Sequence, residues 1–301
     1  MATIYTHIES NNWKTFFLIV LFIFLVVGLG WLFAYWLNEP LILIIAIFIA
    51  VFQTFTGFFW SDKIILSLTR AQPLKKEDSP SIYNLVENLC LTAGLPMPKI
   101  YILPEKQPNA FATGRDKNHA SIALTQGLIE KLNRTELEGV IAHELSHIGN
   151  KDILLQSIVV VLVSLIILLS HFFLRISFFR PIGRRGRGES GGIIFFLIFL
   201  AGIIAAILAP LAASLLKAAI SRKREFLADA TAALLTRYPE GLAGALEKIS
   251  LDPEPMRYAR EATFHLYIKN PLPKDKVNWF AKLFATHPPI EERIKRLRMM
   301  L

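Results

Sequence analysis

Four long apolar segments dominate the pattern of this chain. Residues 16–37 and 41–60 contain no charged residue, residues 153–174 carry scattered polar side chains, and residues 193–216 carry Ser214. Each segment reaches the ~20 residues that an α-helix needs to cross a bilayer. One such segment could be a buried core helix, but four in one chain favour a membrane protein. We therefore predict a mainly α-helical integral membrane protein with four transmembrane helices.

The apolar segments divide the chain into alternating membrane and polar parts. Asn38-Glu39-Pro40 predicts a tight turn between the first two segments. The expected parts are a transmembrane hairpin in residues 1–60, a first polar part in 61–152, a second hairpin in 153–216 and a second polar part in 217–301.

The polar parts show the spacing of short strands and amphipathic helices. Helices are expected over residues 82–91 (capped by Ser79 or Ser81 and ended by Gly94), over 125–132, from Asn133 or Thr135 to about Gly149, over 217–237, and after Pro289. A small β-sheet is expected from residues 99–103, 110–113 and 119–124, with a hairpin turn over 114–118.

His143-Glu-Leu-Ser-His147 is the strongest chemical signal. On an α-helix, residues four apart lie on one face, so His143 and His147 can bind one metal ion. Glu144 then points to the open coordination position, where a water would sit. Histidine ligation with an open position favours zinc, at one ion per chain.

Glu225 and Asp229 provide the expected remainder of the metal site. They are four residues apart and share a helical face. Glu225 can be the third ligand, and Asp229 can accept a hydrogen bond from the far nitrogen of a ligand histidine. The alternative is a solvated charged face, with Glu225 paired to a neighbouring arginine. The preceding histidine motif favours the ligand interpretation.

Other polar residues near these motifs are expected to be structural. Asn150 and Asp152 are expected to end the metal helix rather than to take part in chemistry. His119 falls in a predicted strand and His171 at a membrane boundary, so neither is expected to be a ligand. Cys90 is the sole cysteine, which excludes intrachain disulfides.

The net charge of +9 points to a lipid bilayer rather than to nucleic acid. Basic residues cluster beside the apolar segments, where they fit anionic headgroups and topology signals. The link between the third and fourth segments conflicts with an outside position, because it holds several arginines: Arg175, Arg180, Arg184, Arg185 and Arg187. A re-entrant hairpin in residues 153–216 therefore stays open as an alternative.

Together these residues resemble the HtpX-type membrane metalloproteases, a branch of a gluzincin family shared with the CAAX prenyl endopeptidases. The resemblance rests on Asn109-Ala-Phe-Ala-Thr-Gly114, His143 to Asp152, Ser221 to Asp229 and His287-Pro-Pro289. It implies that both polar parts form one gluzincin-type zinc metalloprotease domain. It also implies that His143, His147 and Glu225 bind zinc and that Glu144 is the general base.

The resemblance implies roles for two further regions. Asn109, Ala110, Phe111 and Ala112 resemble the family's edge strand beside the metal, to which an extended substrate could add by main-chain hydrogen bonds. An ordinary hairpin strand is the alternative. His287 is implied to approach the active site and stabilise the oxyanion, and a loop histidine that orders the C-terminal helix is the alternative.

The expected function is that of a zinc endopeptidase of the bacterial inner membrane with its catalytic domain in the cytoplasm. The resemblance implies membrane-protein quality control and stress response, with misfolded membrane proteins or unfolded polypeptides as substrates. A CAAX-type enzyme fits less well, because that branch carries more transmembrane helices. Rival functions are a non-proteolytic scaffold or holdase with a structural zinc, an intramembrane protease and a transporter. An intact Glu144, charged residues flanking the motif and uncharged apolar segments argue against these three in turn.

Overall fold

The computed structural model describes residues 4–164, 222–269 and 288–300, which form a mainly helical molecule with one small sheet. The helices are α1 (Ile4–Leu37), α2 (Leu41–Leu68), α3 (Pro80–Ala93), α4 (Gln126–Lys131), α5 (Arg134–Gly149), α6 (Asp152–Ser164), α7 (Arg222–Thr236), α8 (Pro239–Leu251) and α9 (Ile290–Arg298). The strands are β1 (Gln72–Pro73), β2 (Lys99–Leu103), β3 (Ala110–Gly114) and β4 (Ala120–Thr125).

The first predicted hairpin is a pair of helices, α1 and α2, that are longer than the apolar segments alone predict. Asn38 reverses the chain between α1 and α2 with a φ of 54°, a conformation that asparagine tolerates better than most residues. Gly30 lies so close to Ala46 that a Cβ on the glycine would clash, so small residues bring the two helices together. Both helices are long and apolar enough to span a membrane, and only 17% of each span is buried, which leaves their apolar side chains for lipid.

Of the predicted second hairpin, the structure describes only residues 153–164. Helix α6 follows α5 after a bend of 84°. Among the described residues, α1 and α2 pass the length and hydropathy test for a span on their own. The rest of the predicted second hairpin, with the arginine-rich link and His171, lies outside the described residues.

The sheet has the strand order β1-β2-β4-β3. Strands β3 and β4 are antiparallel, which confirms the predicted hairpin, whereas β2 and β4 are parallel. The prediction that His119 begins a strand was wrong. The Asp116 side chain accepts hydrogen bonds from the backbone N–H groups of Asn118 and His119, and this holds His119 in a 3-10 turn before β4. Strand β1 is two residues long and contains a proline, so no period-2 signal marked it.

Helix α3 ends as predicted but begins differently. Gly94 adopts the left-handed conformation that closes many helices, with a φ of 64°. Ser79 occupies the N-cap position, yet its side chain makes no capping hydrogen bond. Pro80 follows at the first helical position, where its fixed φ favours the helix without needing that bond.

Two apolar clusters hold these elements together. The first packs α3, α5 and α8 against the sheet and is lined by residues such as Val86, Val140 and Leu246. The second joins the membrane hairpin to the sheet, because Phe22 and Ile65 share it with Phe111. The polar domain therefore sits directly against one end of the membrane hairpin.

Candidate metal centre

Helix α5 presents both motif histidines on one face. Its start is set by a capping box, in which the Asn133 side chain accepts from the Glu136 N–H at 2.9 Å and the Glu136 side chain accepts from the Asn133 N–H at 2.8 Å. One helical turn separates His143 from His147, and their Nε2 atoms lie 3.3 Å apart. Both imidazoles are buried.

Helix α7 brings Glu225 to the same point. Its Oε1 lies 3.6 Å from His147 Nε2, and its Oε2 lies 3.9 Å from His143 Nε2. A tetrahedral zinc ion with ordinary bond lengths separates its ligand atoms by about 3.3–3.5 Å. The three side chains therefore fit a metal ion that prefers imidazole and carboxylate donors, with a further coordination position left open.

Each histidine is held from behind by a carboxylate. Asp229 Oδ1 lies 3.1 Å from His143 Nδ1, which is the contact that the sequence predicted for this aspartate. Asp152 Oδ2 accepts from His147 Nδ1 at 2.9 Å. A proton on each Nδ1 would leave the lone pair of each Nε2 facing the shared point, which is the tautomer that metal binding needs.

The expectation that Asp152 merely ends the metal helix was wrong. Asn150 does occupy the C-cap position of α5. Lys151 then adopts a φ of 57°, which reverses the chain and returns Asp152 to His147. Residues five apart do not share a helical face, so helical spacing carried no signal for this contact.

Two buried arginines form ion pairs with the carboxylates behind the histidines. The sequence pattern did not predict this role for either arginine. Arg293 of α9 donates to Asp229 from Nε at 2.9 Å and from Nη2 at 2.7 Å, and its Nη1 lies 3.7 Å from Glu225 Oε2. Arg224 Nη1 lies 3.3 Å from Asp152 Oδ1. Each histidine-orienting carboxylate is thus itself fixed by a guanidinium.

Burial and these charges set the protonation of the carboxyl groups. Burial raises the pKa of Glu144, although the adjacent His143 and His147 act in the opposite direction. Burial also opposes ionisation of Asp229, but Arg293 and His143 together outweigh burial and lower the pKa of Asp229 to about 2. Burial therefore favours the protonated form of Glu144, whereas Asp229 stays charged near neutral pH.

The predicted substrate strand lies at the edge of the described sheet and beside α5. Asn109, Ala110, Phe111 and Ala112 are all buried. Asn109 Nδ2 donates to the Lys269 carbonyl at 2.8 Å, and the ring of Phe111 meets Tyr267 edge-on at 5.3 Å between centroids. The segment 267–269 therefore contacts this strand, and its substrate role stays a prediction.

His287 lies outside the described residues, so its predicted role is unchanged. Pro289, two residues after His287, is the N-cap residue of α9, which carries Arg293. The C-terminal helix that was expected after this proline is therefore present.

Comparisons with known proteins identify the family of this chain. Residues 76–301 match the model of Peptidase family M48. A protease HtpX homolog of Thermoanaerobacter pseudethanolicus is 46% identical, with 99% of this chain and 98% of that protein covered. One of Caldanaerobacter subterraneus subsp. tengcongensis is 47% identical, with the same coverage.

A solved structure is also similar. The crystal structure of S. mikatae Ste24p has 19% sequence identity and a TM-score of 0.49, and the match covers 90% of this chain and 62% of that one. At that distance the structural likeness carries no argument. The full-length relatives and the family model confirm the resemblance that the motifs indicated. With its two apolar helices and its histidine-glutamate centre, the chain belongs to peptidase family M48 and is a membrane-bound metalloprotease.

Proposed function

We propose that this chain is a zinc endopeptidase that hydrolyses peptide bonds of misfolded or damaged membrane proteins at the cytoplasmic face of the bacterial inner membrane. The observation that carries the proposal is the convergence of His143, His147 and Glu225 around one point, with Glu144 on the same helix as the two histidines. Unfolded polypeptides belong to the same substrate class, because an extended chain can enter an active site that a folded one cannot.

The three ligand side chains are of the types that zinc prefers. The ion would be held by His143, His147 and Glu225. The buried carboxylates of Asp229 and Asp152 lie behind the two histidines and fix the orientation of both imidazoles. When bound, zinc supplies a water of lowered pKa and polarises the carbonyl group that is attacked. A structural zinc site usually closes with a fourth protein ligand, whereas the group of metal-binding side chains among the described residues comprises these three.

Glu144 has the position and environment of a general base. It follows the first histidine directly, so its carboxylate can take a proton from the attacking water and pass it to the leaving amine. Burial raises its pKa, which helps the side chain to hold that proton between the two transfers. A non-proteolytic scaffold has no use for such a group.

The cytoplasmic assignment follows from the charges at the two ends of the membrane hairpin. The turn between α1 and α2 carries Glu39 and no lysine or arginine. The end that meets the polar domain carries Lys63 and Arg70. Short loops rich in lysine and arginine stay in the cytoplasm, so the metal centre is assigned to that side. Its place against the membrane hairpin suits the cleavage of polypeptides that leave the bilayer.

The test is the Glu144→Gln variant, with zinc content and cleavage measured on the same full-length preparation. We expect one zinc per chain to be retained and cleavage of an unfolded membrane protein to fall by about 10²–10⁴-fold, which is the usual contribution of general acid–base catalysis. Glu138→Gln, on the same helix but outside the metal centre, should cleave like the wild type. Retained proteolysis in zinc-replete Glu144→Gln protein would falsify the general-base role, and absence of cleavage by the wild type would favour the scaffold.

A further inference from the structure

A cavity of about 380 Å³, separate from the metal centre, lies between the end of α2 and the β3–β4 turn. Aromatic side chains of α2, such as Phe59 and Trp60, form one wall, and polar side chains of the sheet form the other. None of the described metal-centre residues lines this cavity. Its volume falls in the range of sites that hold small molecules or headgroups.

The depth of this cavity in the membrane follows from the length of α2. The uncharged residues 41–60 rise by about 30 Å as a helix, which matches the hydrocarbon thickness of a bilayer. Trp60 therefore falls at the boundary, where tryptophan is enriched. Asp62 and Lys63 follow it into the headgroup layer, so the cavity opens at the level of lipid phosphates.

Three cations from separate elements converge on this cavity. Lys63 comes from α2, Lys99 from β2 and Arg115 from the β3–β4 turn, and Asp62 is the carboxylate among the lining residues. These three cations still outnumber the nearby carboxylates, Asp62 and Asp116, whose Oδ2 lies 3.5 Å from Arg115 Nε, and the remaining excess of positive charge favours an anion. The guanidinium of Arg115 lies 5.5 Å from the centre of the Phe59 ring, so the basic and aromatic walls meet.

Arg115 is held in place before any ligand arrives. Its Nη2 donates to His119 Nε2 at 3.0 Å, and His119 Nδ1 in turn donates to Asp116 at 2.9 Å. Asp116 also caps the short 3-10 helix through two backbone N–H groups. The turn therefore presents an ordered guanidinium, the side chain that best matches a phosphate group.

We propose that this cavity binds the phosphate of an anionic glycerophospholipid from the leaflet on the protease side. The headgroup phosphate lies among Lys63, Lys99 and Arg115, and the acyl chains run along the aromatic face of α2. Because these three cations belong to the membrane helix and to the sheet, one lipid ties the sheet beside the metal centre to the membrane surface.

The test measures lipid binding by full-length protein in detergent, using native mass spectrometry. Phosphatidylglycerol and phosphatidylcholine with identical acyl chains are compared, and inorganic phosphate serves as the free-anion arm. Each cation near a charged membrane surface contributes roughly a fivefold gain. Lys63→Gln with Lys99→Gln and Arg115→Gln should therefore bind phosphatidylglycerol about a hundredfold more weakly.

Two further variants distinguish the loss of a specific lipid site from a loss of lipid binding that is caused by lower overall charge or by misfolding. Lys75→Gln with Lys76→Gln and Lys295→Gln removes the same charge from exposed positions outside the cavity, and should bind like the wild type. Arg115→Gln alone should lose about fivefold if the triple variant does not fold. Equal binding of phosphatidylcholine, displacement of phosphatidylglycerol by millimolar-range inorganic phosphate, or an equal loss in the control variant each overturns the proposal.

Discussion

The two metal-centre histidines differ in how their orienting partners reach them. Asp229 lies one helical turn after Glu225, so a single helix supplies both a predicted ligand and the partner of His143. Asp152 reaches His147 through the left-handed residue Lys151. Both carboxylates also contact a buried arginine, so removing one takes a partner from a guanidinium as well as from an imidazole.

Replacing either orienting carboxylate should weaken metal binding. We expect Asp152→Asn and Asp229→Asn each to lower zinc affinity by about 10–100-fold, because an amide no longer compels the imidazole to carry its proton on Nδ1. Competition with a chromophoric chelator measures this directly. Asp78→Asn, on an exposed loop, is the matched control. An unchanged zinc affinity in Asp152→Asn would mean that its hydrogen bond to His147 does not orient the ligand.

At the scale of elements, α5 is the helix around which the protease domain is arranged. It packs against α8 at Gly139, where a Cβ would lie 2.6 Å from the Leu242 backbone nitrogen. Its other end is open by comparison, since a Cβ on Gly149 would meet Leu95 Cδ1 at 3.7 Å. Close packing against α8 therefore requires a glycine at position 139, whereas the space around position 149 would accept a Cβ.

This contrast predicts opposite effects of the same substitution. Alanine is favoured over glycine in a helix by about 1 kcal/mol. At Gly139 the clash with the α8 backbone costs more, because overpacking typically costs about 1–3 kcal/mol and a backbone cannot turn aside. We expect Gly139→Ala to lower the Tm of the detergent-solubilised protein and Gly149→Ala to leave it unchanged or raise it. Shifts of equal sign and size would show that the α5–α8 contact is looser than its geometry indicates.

At the scale of the whole molecule, the membrane hairpin and the protease domain share an apolar cluster. Ile65 near the end of α2, Phe111 of β3 and Val159 of α6 are all buried in it. The domain is therefore fixed to the open end of the hairpin, and we expect the turn between α1 and α2 to lie on the opposite side of the membrane from the metal centre.

Cysteine labelling tests which side that is. Cys90 is buried, and burial, with a smaller effect of Glu87, raises the pKa of its thiol to about 11, so the wild type should not react. Glu39→Cys should react with a membrane-impermeant maleimide in intact cells. Lys76→Cys, on the domain side, should react only after permeabilisation. The reverse pattern would place the metal centre outside the cytoplasm while leaving its chemistry untouched.

The sequence by itself determined the local features of this protein. A span of about 20 apolar residues, a capping box and an i,i+4 pair depend on neighbours in the chain, so their patterns can be read directly. The first hairpin, the limits of α5 and the shared faces of His143 with His147 and of Glu225 with Asp229 were all predicted in this way. The family motifs added the expectation that these two faces meet.

The tertiary structure alone decided which residues that are distant in the sequence come into contact. Arg293 and Asp229 are 64 residues apart, and Arg224 and Asp152 are 72 apart, with no periodicity to link them. The same holds for the cavity beside Arg115, whose cations come from helix α2, a strand and a turn. Contacts of this kind arise from the packing of whole helices and strands. Which side chains meet depends on the surfaces that become buried around them, and not on their neighbours in the chain.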